Sequence, residues 1–180
     1  MLAAALLALE RICYVAAWQA PDAFRDWCAT WIRSAGGDPV RALATLFVFF
    51  KGVQAVVFVG WCVAMGDGQL RAPDATLLST ISGGALIAFG QFLNASVFLR
   101  LGSAGVFYGN RFGVPIAWLE GFPFSWFRHP QYLGAVTTIW GFFLLMRYPA
   151  PDWSILPLLE TVYYALGAHL EETEPAGFEA

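Results

Sequence analysis

The octapeptide FRHPQYLG, Phe127–Gly134, places a guanidinium (Arg128), an imidazole (His129) and a phenol (Tyr132) within five residues, just ahead of an apolar run. Roughly forty residues later, Glu171 and Glu172 close the next apolar run. Two kinds of chemistry suit such a set. Arginine and histidine can hold a carboxylate or phosphate through charge-assisted hydrogen bonds, and a carboxylate pair can hold an ammonium or a hydroxyl-rich group. An imidazole, phenol or carboxylate within hydrogen-bond reach can also take a proton from an attacking nucleophile. Plainer readings stand beside these: Arg128 as a topology charge, and the glutamates as solvation at a membrane exit. Capping does not account for the glutamates, because a helix C-terminus disfavours negative charge.

The elements that must position these groups are membrane helices. Of 180 residues, 58% are hydrophobic and only 13% charged, with a mean hydropathy of +0.59. Soluble domains carry about a quarter charged residues, so the chain has the composition of an integral membrane protein, and its length fits one domain over 1–180. A net charge of −3 without a polybasic block excludes nucleic acid as a partner. Cys13, Cys28 and Cys62 lack metal or redox spacing and read as small apolar fillers; no metal site is expected. Glu10 and Arg11 interrupt the first apolar run and no basic n-region precedes it, which argues against a cleaved signal peptide.

The patterning predicts an all-α integral membrane bundle: four transmembrane helices plus an N-terminal helix over 2–20 that is embedded or interfacial. The spans fall at about 42–65, 75–99, 131–147 and 153–170, against roughly 20 residues needed to cross a bilayer. Gly66-Asp67-Gly68 ends the first and Pro73-Asp74 opens the second; no strand alternation supports a barrel. The last two are short and joined by a tight proline link, so they form an antiparallel hairpin. Lys51 stands midway along the first span. It either snorkels along its stem or finds a buried partner, for which Glu160 is the mid-run carboxylate of the long spans.

Four crossings put 21–41, 100–130 and the C-terminal tail on one side. That side carries Arg25, Arg33, Arg41, Arg100, Arg111 and Arg128, against Arg71 and Arg147 opposite, so it is cytoplasmic by the positive-inside rule. The connection 101–128, dense in aromatics including Phe107, Tyr108, Trp118 and Trp126, reads as an interfacial segment broken by Pro115 and Pro123. Gly102, Gly105 and Gly109 follow no strand; they supply backbone freedom after a membrane exit rather than a dinucleotide loop. Gly90, Gln91 and Asn94 add polarity to an apolar helix, with helix packing as the plain alternative. With Tyr108, Asn110, Arg111, Arg128, His129, Tyr132, Glu171 and Glu172 they form one polar set at a single membrane face. Its expected task is to hold a charged small molecule beside a lipid-soluble partner.

The pairing of RHPQYLG with a downstream glutamate pair resembles the small integral-membrane methyltransferases, which include phospholipid N-methyltransferases and isoprenylcysteine carboxyl methyltransferases. LGSAGVFYGNRFG followed by GFPFSWFRHPQYLGAVTTIWGFFLLMR looks like the phospholipid N-methyltransferases, and ERICYVAAW and FFKGVQ fit the class acting on phosphatidyl-N-methylethanolamine. The resemblance implies S-adenosyl-L-methionine as cofactor, contacted by a small-residue stretch in the second clear span and by the glutamate pair. Here these map to Ala88-Phe89-Gly90, where Ala88 departs from glycine, with Gln91 beside them, and to Glu171 and Glu172. Arg128 and His129 are then expected on the cofactor carboxylate. Asn94, Tyr108, Asn110 and Arg111 are expected near the lipid, and His129, Tyr108 and Tyr132 near the reacting amine, with His129 the first choice of proton acceptor. The implied substrates are phosphatidyl-N-methylethanolamine, phosphatidyl-N,N-dimethylethanolamine and phosphatidylethanolamine, on the route to phosphatidylcholine. Alternatives are a carboxyl methyltransferase and a non-enzymatic lipid-binding protein. The alanine- and arginine-rich composition suits a bacterial inner membrane, with the endoplasmic reticulum as the eukaryotic counterpart.

Overall fold

The computed structural model describes residues 1–32, 35–70, 76–116 and 119–172. Arg33, Arg71, Pro73, Asp74, Trp118 and the tail from 173 onward, with Glu174 and Glu179, lie outside them. Among the described residues the chain is helical without strands: α1 (Leu2–Gln19), α2 (Pro21–Trp31), α3 (Pro39–Met65), α4 (Leu77–Val106), α5 (Pro130–Leu145) and α6 (Ile155–Glu172). Short 3-10 turns at Gly109–Phe112 and Pro151–Ser154 precede α5 and α6.

Local chemistry sets the helix starts. The Asp38 carboxylate accepts from the backbone N–H groups of Val40 and Arg41 at 2.9 and 3.4 Å, with Pro39 in the first turn of α3. Thr76 caps α4 by accepting from the Ser79 N–H at 3.1 Å. Gly66 closes α3, and Asp67 and Gly68 follow in the left-handed region, φ 55° and 82°. Outward-facing side chains such as Val48, Phe49, Val56, Leu78, Phe92 and Leu158 are exposed and apolar; in water that surface would be a liability, in lipid it is solvated.

α1, α3 and α4 are long and apolar enough to cross a membrane. α1 is embedded in the bundle rather than laid on it. Leu7 packs in a core cluster with Phe58, Phe143 and Leu156, Tyr163 donates to the Ala4 carbonyl at 3.1 Å, and Gln19 donates to the Leu170 carbonyl at 2.9 Å. α2 is a helix the apolar runs did not reveal: Phe24 and Cys28 are buried, while Asp22, Arg25 and Asp26 face away from the core.

The tightest packing in the molecule joins α4 to α5. It rests on four glycines at matched seven-residue spacing. A methyl group at Gly83 would sit 2.8 Å from the Gly141 carbonyl oxygen, and one at Gly134 would sit 2.8 Å from the Gly90 carbonyl oxygen. The antiparallel backbones thus approach as only glycine allows. Gln91 Nε2 adds a hydrogen bond to Thr138 Oγ1 at 3.1 Å, and Trp140 Nε1 ties α5 to Thr161 of α6 at 2.9 Å.

One expectation holds and another needs correction. The long regular part of α4 ends beside Arg100, as expected, because Gly102 (φ 63°, ψ −178°) is not helical; a separate short helical stretch follows it up to Val106. The expected interfacial segment therefore begins as helix, and only its later part is irregular. Lys51 neither snorkels away nor meets Glu160: its Nζ lies 3.0 Å from Glu10 Oε1 in α1. Glu160 instead accepts from Gln54 Nε2 at 2.7 Å, one turn farther along α3.

Candidate active site

Four elements converge at the end of the bundle where α6 finishes. α4 and the turn after it deliver Tyr108, the start of α5 delivers His129 and Tyr132, α6 delivers Glu171 and Glu172, and α1 packs Tyr14 and Trp18 against them. Tyr108 adopts the left-handed region (φ 54°, ψ 34°), unusual for a bulky residue. That strained backbone turns its ring onto Tyr14 and Trp18, at centroid distances of 5.6 and 5.3 Å. From there the Tyr108 hydroxyl donates to Glu171 Oε1. Tyr132 donates to the same oxygen, and the two phenol oxygens lie 3.0 Å apart.

Glu172 makes a separate set. His129 Nε2 and Arg128 Nε lie 2.8 and 3.1 Å from its Oε1. Both glutamates lie past Leu170, where the apolar run ends, yet their environments pull in opposite directions. Burial pushes the Glu171 carboxyl above its ordinary value, only partly offset by the hydrogen bonds from Tyr108 and Tyr132. The hydrogen bond to His129, helped by the Arg128 charge, holds Glu172 below it. One carboxyl is thus tuned to accept a proton, and its neighbour to stay charged.

Two cavities meet here. The smaller, of about 140 Å³, is lined by Tyr108, Arg128, His129 and Glu171 among others. The larger, of about 440 Å³, runs deeper between α1, α3, α4, α5 and α6. Tyr14, Gln131 and Tyr132 line both and form the wall between them.

The anticipated residues are therefore sorted rather than simply gathered. Arg128, His129, Tyr132, Tyr108, Glu171 and Glu172 come together. Gln91 and Asn94 line the larger cavity. Gly90 is committed to the contact with α5, where an added methyl would overlap Thr138 Oγ1 and the Gly134 carbonyl. Phe89 turns to Phe127 (centroids 6.2 Å), and Ala88 is exposed on the helix surface. Ala88, Phe89 and Gly90 thus line neither cavity, because residues two apart on a helix point to opposite sides. Asn110 is exposed and lines neither cavity. Arg111 donates to the Trp18 carbonyl at 3.0 Å and lies over its ring, 4.8 Å from the centroid, fastening the loop to α1. Missed from the sequence were Glu10, Arg11, Tyr14, Gln54 and Tyr164; the charged pair Glu10-Arg11 inside an apolar run was the one available signal.

The fold and this convergence define a helical membrane protein with a polar site built from α4, α5 and α6. The chain belongs to the phospholipid methyltransferase family, whose profile matches residues 78–174, more than half of its length. It is similar to the phosphatidyl-N-methylethanolamine N-methyltransferase of Arabidopsis thaliana, with 52% identity over 54 residues. That match covers 30% of this chain and 33% of the relative's length. No solved structure matches the chain.

Proposed function

We propose that the chain methylates the amine of phosphatidylethanolamine derivatives at the junction of the two cavities, with S-adenosyl-L-methionine as methyl donor. The observation that carries this reading is the Glu171 carboxylate held by Tyr108 and Tyr132, beside Glu172 held by Arg128 and His129. The donor set fits the cofactor: adjacent carboxylates suit its ammonium and ribose hydroxyls, and Arg128 stands ready for its carboxylate. When bound, the cofactor supplies an electrophilic methyl group on a sulfonium.

The chain's own work is positioning and proton removal. A lipid ammonium must become a neutral amine before it attacks. Tyr132 stands on the wall between the cavities with its hydroxyl on Glu171, so the proton passes to Glu171 directly or through that hydroxyl. His129, engaged by Glu172, positions that carboxylate and leaves the acceptor role to Glu171. The substrates are the mono- and dimethylated phosphatidylethanolamines, giving phosphatidylcholine. The membrane-spanning set is α3, α4, α5 and α6 with α1 embedded beside them, and the arginine-rich end faces the cytoplasm.

Calorimetric titration tests the assignment. Glu171→Gln and Glu172→Gln should each raise the cofactor dissociation constant about tenfold, some 1.4 kcal/mol, with the proteins still folded in detergent. Parent-like binding by both variants would overturn it.

A further inference from the structure

The larger cavity holds a charge arrangement that the methyl-transfer chemistry does not need. Lys51 of α3 and Arg11 of α1 share a single carboxylate, Glu10: Lys51 Nζ lies 3.0 Å and Arg11 Nη2 2.8 Å from its Oε1. All three line the cavity. Glu160, a further carboxylate that feels both cations at longer range, accepts from Gln54 and does not line it. The lining therefore carries two cations against one anion. Buried charges in a membrane protein are costly, and such groups mark ligand sites.

Three further features point to a missing partner. Arg11 Nε and Tyr14 Oη are buried with no hydrogen-bond partner, and their residues line this cavity. Arg11 and Tyr14 are 9% and 6% exposed, so the bulk solvent does not serve them. The Lys51 side chain, by contrast, keeps 32% of its surface open, and its ammonium donates to Glu10, Gln54 Oε1 and Tyr164 Oη, contacts that an incoming anion would exchange. Finally, α3 and α4 touch only sparingly, and the rim between them is apolar: Phe47 from α3, Ala95 and Phe98 from α4. An anion that arrives attached to acyl chains could enter there from the side.

We propose that this cavity binds the phosphodiester of the phospholipid substrate, with Lys51 as the principal anion-binding residue, Arg11 as the second, and Glu10 as the group that holds both cations until lipid arrives. The proposal rests on the methyltransferase reading for the identity of the lipid and adds the recognition of its phosphate. The Tyr132 wall fits it: phosphate on the Lys51 side puts the adjoining amine near the Tyr132 hydroxyl and Glu171.

The test is equilibrium binding in detergent, followed by tryptophan fluorescence, of two single-chain amphiphiles: dodecylphospho-N-methylethanolamine and the matching N-methylaminoethyl dodecyl ether, which lacks phosphate. The parent should bind the phosphate-bearing probe at least about tenfold more tightly. Lys51→Met should abolish that preference while leaving S-adenosyl-L-methionine affinity unchanged, and Lys51→Arg should keep most of it. Glu10→Gln should strengthen the preference by freeing both cations, a gain that a purely structural role does not produce, and this arm holds even if Lys51→Met misfolds. Equal binding of the two probes by the parent, or an unaltered preference in Lys51→Met and Glu10→Gln, would overturn the proposal. So would a loss confined to cofactor affinity in Lys51→Met, which would assign the cations to the cofactor carboxylate. Methyl transfer by the parent, measured separately, distinguishes failure of the phosphate site from failure of the enzymatic reading.

Discussion

At the scale of single residues, the contrast between Glu171 and Glu172 carries most of the proposed chemistry. Adjacent in sequence, they diverge because α6 turns one towards Tyr108 and Tyr132 and the other outward to Arg128 and His129. A stability consequence follows for Glu171. Its proton affinity is raised in the folded protein by burial, so folding favours the protonated form. The stabilising contribution of protonation is complete below the unfolded-state value and is lost as pH rises through the folded-state value. Glu171→Gln, which keeps an oxygen for both tyrosines, should therefore raise the melting temperature of the unliganded protein at pH 7. The gain should vanish near pH 4, where the parent carboxyl is itself neutral. A melting temperature that falls at pH 7, or a gain independent of pH, would show that burial does not govern this carboxyl. Higher stability with weaker cofactor binding is the expected mark of a functional charge held at a cost to the fold.

At the scale of elements, the α4–α5 contact decides how the site is assembled. Gly90 attracted a cofactor role in the sequence because small residues in a span suit both close helix packing and close ligand approach; the two uses leave the same trace. The contact with α5 displays the packing use. Gly90→Ala should cost about 1–3 kcal/mol through overpacking, read as a lower melting temperature with cofactor affinity unchanged in the folded fraction, and Ala88→Gly should leave cofactor affinity as it is. A weakened affinity at unchanged stability in Gly90→Ala would return that glycine to the cofactor. Lys51 and Glu10 link α3 to α1 in the same way that the glycines link α4 to α5. Glu10→Gln, which strips both buried cations of their carboxylate, should destabilise more in the parent than in a Lys51→Met background, where Arg11 alone loses its partner, with a coupling of about 0.5–3 kcal/mol; strictly additive thermal shifts would remove the link. The sequence could show that Lys51 was anomalous but not who met it. Glu10 lies in a different helix, and neither periodicity nor spacing says which helices are neighbours.

At the scale of the whole molecule, the all-helical class, the bounds of α1, α3, α5 and α6 within a few residues and the nearness of RHPQY to the glutamate pair were legible, since each depends on local hydropathy or on a short motif. The depth of α1, the amphipathic α2, the short helical stretch after Gly102 and the division of the polar set between two cavities were not legible. They depend on which face of each helix meets another. The bundle that results encloses a polar interior with the carboxylate Glu171 on one side of Tyr132 and the cations Lys51 and Arg11 on the other. The transfer proposed above, between a soluble donor and a lipid acceptor, calls for that division. The most direct measurement is transfer of labelled methyl from S-adenosyl-L-methionine into vesicles containing phosphatidyl-N-methylethanolamine, with parent, Tyr132→Phe and Glu171→Gln proteins, between pH 7 and 9. The expected result is label in the dimethylated lipid and phosphatidylcholine, with turnover lowered about 10²-fold in Glu171→Gln and that deficit shrinking towards pH 9, where solvent has deprotonated a larger share of the amine. Absence of label in phospholipid, or Glu171→Gln turning over like the parent at every pH, would contradict the account.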